Sequence, residues 1–447
     1  MSQTALSAQI NARIEGLPVV GWQARVRLLL GVITFFEAFD LLLISFTLPL
    51  LKQQWQLDPT QIGLIVGSGT FGMLLGALCA GALADRVGRK PVLLAAMLLT
   101  GLFSALIACA SDWQGLLVGR LLQGLGIGAE VPIAALYLSE IITSKVRGRF
   151  VLLYELSFPC GLMFAGVACT WALPVMGWRP LYWLGSVPMV LAVAVYLYVP
   201  ESARWLAARG QLRRAQACMA YMERASGHAV ATPLLTEAPV ARPRDSGRWR
   251  QLFDPVLRHA SGSVGLLWFL GYLVNFALLI WLPSLYVEVF STSLAQALNF
   301  TLWSNIAGLG GCMAAAWCVD RIGRVRLLFG GYLGAGLSLL LIALTVAWQQ
   351  VLLVALLAAS CSFFLYAANM SLHLYTPELY PTLLRGKGAA WGALCNRSGA
   401  LLGAVGMGWV LALHWGATAI FILLGGLLLL ASAIALQARE TQGQVLG

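Results

Sequence analysis

Charge is what this chain has least of. Only 11% of its 447 residues are Asp, Glu, Lys or Arg, 60% are hydrophobic, and mean hydropathy is +0.81, which excludes an ordinary water-soluble domain. Histidine occurs four times, at His228, His259, His373 and His414. That is too few and too scattered for a metal centre or a Ser/His/Asp constellation, so no enzyme and no bound metal are expected. No Gly-x-x-x-x-Gly-Lys-Ser/Thr loop occurs, which removes the usual cradle for ATP phosphates, and no cofactor is implied. The nine cysteines fall mostly in apolar stretches, as at Cys79, Cys109, Cys160, Cys312 and Cys361. Their spacing matches no zinc or haem pattern and no disulfide framework, so they read as small buried hydrophobes. The N-terminal tail lacks a short apolar core with a cleavage site, so the first apolar run is expected to be retained.

What the chain has in abundance is apolar runs of membrane-spanning length. Twelve are predicted, at Val26–Leu51, Ile62–Ala84, Pro91–Ala110, Gly115–Leu138, Phe150–Leu173, Pro180–Val199, Gly262–Phe290, Ala295–Val319, Leu327–Trp348, Val351–Leu374, Gly388–Leu413 and Gly416–Ala435. Between the sixth and seventh lies a polar stretch, 200–260, rich in Arg and broken by Pro233, Pro239 and Pro243. It divides the chain into an N-terminal half (1–199) and a C-terminal half (261–447), and short surface helices are expected in it up to about Gly227.

The net charge of +11 would suggest nucleic acid in a soluble protein, but its placement says otherwise. Of 29 Lys and Arg, only Lys52 and Arg179 lie in odd-numbered connections and only Arg120 and Arg397 lie inside spans. The others fall in the tails and the even-numbered connections. That asymmetry is the positive-inside rule, which puts both termini in the cytoplasm. Basic charge here sets topology and implies no nucleic-acid partner.

The chain also repeats itself. Gly81-Ala-Leu-Ala-Asp85-Arg86-Val-Gly88-Arg89-Lys90 between the second and third runs returns as Ala316-Trp-Cys-Val-Asp320-Arg321-Ile-Gly323-Arg324-Val325, 235 residues later. Tyr137, Glu140, Arg147 and Gly148 return as Tyr375, Glu378, Arg385 and Gly386, 238 residues later. Two independent motifs at nearly one offset indicate a duplicated membrane protein. The Gly-x-Leu-x-Asp-Arg-x-Gly-Arg-Lys loop resembles the signature of the major facilitator superfamily, over nearly the whole chain. The resemblance implies an all-α fold of twelve transmembrane helices in two pseudo-symmetric six-helix halves, with the loops latching the halves on the cytoplasmic side. The second latch, lacking the leading Gly and the Lys, is expected to be weaker.

Two further strings place the branch. Pro200-Glu201-Ser-Ala-Arg-Trp-Leu resembles a motif of sugar porters and organic-ion transporters, in which Glu201 would pair with loop arginines. Tyr375-Thr-Pro-Glu378-Leu-Tyr-Pro-Thr-Leu-Leu-Arg385-Gly resembles the organic cation and anion transporters of animals, their synaptic vesicle relatives and bacterial niacin-type transporters.

Ionisable side chains inside spans are costly, roughly 2.5–3.5 kcal/mol on insertion scales, so each invites a functional reading. Glu37 and Asp40 share one face of the first span, Arg120 and Glu130 lie in the fourth, Glu155 just inside the fifth and Arg397 in the eleventh. By the resemblance, Arg in the eleventh span marks anion carriers. A guanidinium facing a central cavity offers a fork for a carboxylate, the alternative being a structural ion pair with an acid of another span. Arg120 needs an acid nearby, from Asp40, Glu37 or Glu130. Asp40 is the expected proton carrier, with Glu130 or Glu37 the runner-up; Glu130 and Glu155 could instead serve as latch residues. Aromatics and amides that could line a substrate cage are Phe36, Tyr154, Tyr272, Asn275, Phe276, Phe363, Phe364, Asn369 and Trp391.

Together these features predict a monomer in the bacterial inner membrane that imports a small aromatic or heteroaromatic carboxylate with protons, nicotinate being the leading guess. A sugar or neutral-metabolite symporter, a drug-efflux antiporter and a non-transporting ligand-binding relative stay open.

Overall fold

A computed structural model describes residues 3–18, 21–143, 150, 153–154, 156–227, 249–380 and 384–441. Of the expected functional residues, Arg147 and Glu155 lie outside the described residues, as do the side chains of Asp320 and Arg385. Among the described residues all regular structure is helical. A leading helix α1 (Gln3–Gly16) precedes five spans, α2 (Gly21–Trp55), α3 (Pro59–Val87), α4 (Arg89–Ala108), α5 (Trp113–Ile141) and α6 (Ser157–Met176). The sixth span is two short helices, α7 (Arg179–Leu184) and α8 (Val187–Tyr198), each with Pro in its first turn. Helices α9 (Ala203–Ala208) and α10 (Leu212–Ala225) follow. The second half is α11 (Arg258–Phe290), α12 (Leu294–Ile322), α13 (Arg324–Thr345), α14 (Val351–Glu378), α15 (Arg385–Ala412) and α16 (Ala417–Leu436).

Eleven of these segments are long and apolar enough to cross a membrane. The twelfth, α15, is also long enough at 28 residues, since a helix rises 1.5 Å per residue. Its polar residues, Arg397 among them, keep it below the apolarity of the others.

The halves repeat one another in detail. The turn after the first span is closed by a capping box, with Gln61 N–H donating to Asp58 at 2.8 Å and Asp58 N–H to the Gln61 side chain at 3.0 Å. Ser293 and Gln296 form the same box 235 residues on. The latch turns sit on Gly88 (φ 113°) and Gly323 (φ 99°), a backbone region open mainly to glycine. In the first half α3 packs on α5, α4 on α5 and α8, and α2 on α6; in the second, α12 packs on α14, α13 on α14 and α16, and α11 on α15. Between halves α2 meets α11, α3 meets α15 and α6 meets α12, a set that exchange of the halves maps onto itself.

Small residues permit these approaches, as expected where lipid supplies no hydrophobic drive between helices. A Cβ on Gly124 or Gly128 of α5 would run into the α3 backbone, and one on Gly72 or Gly76 of α3 into α5. The described polar contacts between halves lie toward the end opposite the latch turns. Ser45 Oγ donates to the Leu279 and Ile280 carbonyls at 2.7 and 2.8 Å, and Lys52 pairs with Glu288 at 2.7 Å. One apolar core runs across both halves, whereas the latch-side core of the first half, from Ile10 to Met222, is separate. Among the described residues these contacts join the halves at the far end, and the latch-side core of the first half is not continuous with the shared one.

Helix α1 belongs to that latch-side core. Its Ile10 and Ile14 are buried, and Arg13 grips the Glu223 carboxylate of α10 through two bonds of 2.8 and 2.7 Å. A segment that reads as a polar lead-in is thus docked.

Candidate functional site

Arg397 is placed by glycine packing. Gly399 and Gly403 of α15 lie against the backbone of α11 at Phe269 and Leu273, which brings α15 close enough to turn Arg397 toward the first half. There Tyr272 and Glu37 are its electrostatic neighbours. Its guanidinium is half-buried and has no hydrogen bond or ion pair among the described residues. A cation without a partner at this depth is costly, which sets Arg397 apart from the paired arginines of the latch turns.

Glu37 and Glu130 are fully buried and face one another between α2 and α5. Both carboxylate oxygens of Glu37 and Oε2 of Glu130 are buried without a hydrogen-bond partner among the described residues. Glu130 accepts from Thr34 Oγ1 at 3.3 Å, and Thr34 shares a 2.7 Å bond with the Tyr154 hydroxyl. Tyr154, expected in a substrate cage, is wholly buried behind this pair.

Asp40, one turn along α2, looks elsewhere. It is enclosed in the first half, accepting from Ser104 Oγ at 3.0 Å, with Gly185 of the broken sixth span pressed against it. Arg120 donates from Nη1 to the Asp40 carbonyl at 3.2 Å and to the Gln123 side chain at 2.9 Å. The two acids of the first span therefore serve two arginines: Asp40 faces Arg120 and Glu37 faces Arg397.

The aromatic expectations divide likewise. Trp268, Tyr272 and Phe276 form a column on α11 with centroids 5.4 and 6.4 Å apart. Phe36 sits half-buried beside Glu37, edge-on to Phe39. Asn275 is buried next to Phe276, and Asn369 accepts from the Tyr332 hydroxyl at 3.0 Å. The Phe364 ring lies over Gly334 of α13, and the Phe363 ring comes near Gly310 of α12 while its backbone presses on Gly311. Trp391 donates to the Ser261 carbonyl at 2.9 Å and stacks on Phe253, nearer the latch end. Trp268 and His373 were missed in the sequence. Trp268 lies in an apolar stretch that carries no local signal, whereas His373, an ionisable side chain inside the tenth predicted span, carried the same signal as the other charges. A surface cavity of about 350 Å³ lined by Leu50, Gln54, Trp178 and Arg179 lies at the far end, away from these charges.

The latch loops are held by one design used twice. Arg89 donates to Glu140 at 3.1 Å and to Asp85 at 3.0 Å, while Glu201 accepts the backbone N–H of Arg89 at 3.0 Å and of Lys90 at 3.3 Å. Arg324 donates to Glu378 at 3.0 Å, and Glu440 accepts the N–H groups of Arg324 and Val325, both at 3.0 Å. Tyr137 and Tyr375 donate to the carbonyls of Pro200 and Arg439. Glu440 is thus the twin of Glu201, legible in the sequence from its offset of 239 residues and overlooked there. Because the carboxylate grips backbone rather than side chain, Val325 in place of Lys90 leaves these bonds intact. These bonds stay within one half. Arg86 is exposed, and Arg321 lies 4.4 Å over the Trp317 ring.

Comparison with known proteins agrees with this architecture. The Major Facilitator Superfamily profile matches residues 30–404. The chain belongs to that family. As a Major Facilitator Superfamily member it is a multi-pass membrane transporter and not an enzyme. It is 32% identical over 438 residues to the niacin transporter NiaP of Acinetobacter baylyi, covering 97% of this chain and 98% of that one. It is 31% identical to a gallate transporter of Pseudomonas putida, covering 95% and 94%, and 28% identical to the 4-hydroxybenzoate transporter PcaK of A. baylyi, covering 97% and 93%. Among solved structures, a D-xylose-proton symporter superimposes with a TM-score of 0.72 at 19% identity, over 95% of this chain and all of that one. At that identity the likeness speaks for the fold.

Proposed function

We propose that this protein imports small aromatic or heteroaromatic carboxylates, nicotinate foremost, across a bacterial inner membrane in symport with protons, by alternating exposure of a midplane site. The observation that carries the reading is the unpaired Arg397 guanidinium beside the Trp268–Tyr272–Phe276 column. A planar cation takes a carboxylate through two parallel bonds, and the rings take the aromatic body. Niacin, gallate and 4-hydroxybenzoate, named for the relatives, share this carboxylate-on-a-ring chemistry. The latch end faces the cytoplasm by the distribution of Lys and Arg, so it is the exit, and the Lys52–Glu288 end is closed. The protein acts as a monomer, with the two halves and the 200–260 linker as its units.

Proton coupling is assigned to Glu37 with Glu130, a change from the expectation that Asp40 carries the proton. Glu37 shares Arg397 with the incoming carboxylate, so substrate and deprotonated Glu37 compete for one cation. Substrate binding then favours the protonated acid, which ties the two cargoes together. Asp40 holds Arg120 in place and tightens the first half.

The test is uptake of radiolabelled nicotinate into liposomes with and without an inward proton gradient. The parent accumulates nicotinate only with the gradient. Glu37→Gln equilibrates it in either condition, because exchange survives while coupling is lost. Gradient-driven accumulation by Glu37→Gln, with its loss in Asp40→Asn alone, returns the proton to Asp40. Absence of any uptake by the parent refutes the substrate class.

A further inference from the structure

We infer that His373 of α14, together with the Tyr272 hydroxyl of α11, forms a second polar subsite that hydrogen-bonds a donor or acceptor carried on the substrate's ring, para or meta to its carboxylate. The inference rests on Arg397 as carboxylate anchor.

The Tyr272 hydroxyl and His373 Nε2 stand 3.4 Å apart, long for such a bond, whose usual length is near 2.8–3.0 Å. A ring hydroxyl set between them would bond both at shorter range, and a ring nitrogen, with its single lone pair, would accept from one of them. His373 is exposed, and its other ring nitrogen has no partner among the described residues. A ring nitrogen without a protein partner is open to a ligand's hydrogen bond. One ring nitrogen donates and the other accepts in neutral histidine, so the pair can serve either sign of hydrogen bond.

The imidazole is positioned by a rigid wall. It meets Trp268 edge-to-face at 4.7 Å and 88°. Trp268 is itself pinned, with its indole N–H on Thr376 Oγ1 at 2.8 Å and its edge over Gly392, where a Cβ would come within 2.6 Å. The orientation of His373 therefore does not depend on any polar partner, and it is preserved when a ligand takes its nitrogen.

The placement matches one aromatic ring. Tyr272 is the shared neighbour, next to His373 and in electrostatic reach of Arg397. Arg397 lies 12 residues from the latch-side end of α15 and His373 five residues from that of α14. At 1.5 Å per residue the two are offset by roughly 10 Å along the helices. That is about the span of a benzoate ring with a hydrogen bond at each end. The wall between them is the Trp268–Tyr272 pair, a surface for stacking.

The test is equilibrium displacement of radiolabelled benzoate from purified full-length protein in liposomes by unlabelled benzoate, 4-hydroxybenzoate and nicotinate. The parent should prefer at least one of the two substituted acids over benzoate by about tenfold, the effect of one hydrogen bond. His373→Ala should erase that preference and leave benzoate affinity within about twofold. His373→Gln should restore part of it, a recovery that a merely structural role would not give. Arg397→Ala should weaken all three acids together, which reports on the anchor separately. A parent without preference, or a preference that survives His373→Ala, overturns the subsite while leaving the anchor standing. Loss of benzoate itself in both His373 variants overturns it too, by placing His373 in the fold or the anchor. Benzoate binding that ignores Arg397→Ala overturns the anchor reading, and the subsite with it.

Discussion

Replacing Arg397 by Met should make the empty protein more stable while abolishing its binding. Methionine keeps most of the side-chain length and removes the charge. An arginine at the centre of a spanning helix costs roughly 2.5–3.5 kcal/mol, and water reaching a half-buried guanidinium from the cleft reduces this to on the order of 1 kcal/mol. With no hydrogen bond or ion pair to set against it, that cost should be recovered in the variant. Binding should change in the opposite sense. Two charge-assisted bonds to a carboxylate contribute about 1.5–3 kcal/mol each before discount for water, so affinity for nicotinate should fall by a hundredfold or more. Thermal unfolding in detergent, followed by tryptophan fluorescence with and without nicotinate, reads both effects. Ligand at a hundred times Kd should stabilise the parent by about 2.7 kcal/mol and the variant not at all. An empty Arg397→Met protein that unfolds well below the parent would refute the argument. Breaking a buried ion pair typically costs about 3–5 kcal/mol, and that result would make Arg397 a structural partner of Glu37.

Two further outcomes follow from the geometry. Glu440→Ala removes the acceptor for two backbone N–H groups at the start of α13 and should destabilise by about 2 kcal/mol and slow uptake as much as Glu201→Ala does in the other half; parent-like melting and uptake rates would make the symmetry incidental. Gly185→Ala puts a Cβ onto the Asp40 carboxylate and within 2.5 Å of Ser104 Oγ, so nicotinate flux should fall about tenfold, a barrier rise of roughly 1.4 kcal/mol. Nicotinate affinity should hold, because the Arg397 site is not touched; affinity falling in step with flux would contradict the separation of the two acid–arginine pairs.

Much of the architecture was legible because it rests on lengths and repeats. Runs of some twenty apolar residues have few structural options in hydrocarbon. The offset between the two Asp-Arg-x-Gly-Arg loops doubles every local motif, and it extends to the capping boxes and to Glu440 once the contacts are known. The break of the sixth span at Gly185–Ser186 was less legible, since Pro180 and Pro188 both sit where proline starts a helix as readily as it interrupts one.

The site was legible only in kind. Two arginines and four acids inside spans invite a functional reading by their cost alone. Which of them meet was decided by tertiary structure. Glu37 and Asp40 lie three apart on one face of α2, yet helix crossings send one to Arg397 and the other to Arg120. Tyr154, Phe364 and Trp391 looked as suitable as Tyr272, but they turn to Thr34, α13 and Ser261. A spanning helix is apolar all round, so it has no amphipathic period to say which side faces the cavity. Composition fixed that this chain crosses the membrane twelve times in two matching halves and holds charge within it. The packing of glycine-lined helices against one another fixed which charge was left without a partner.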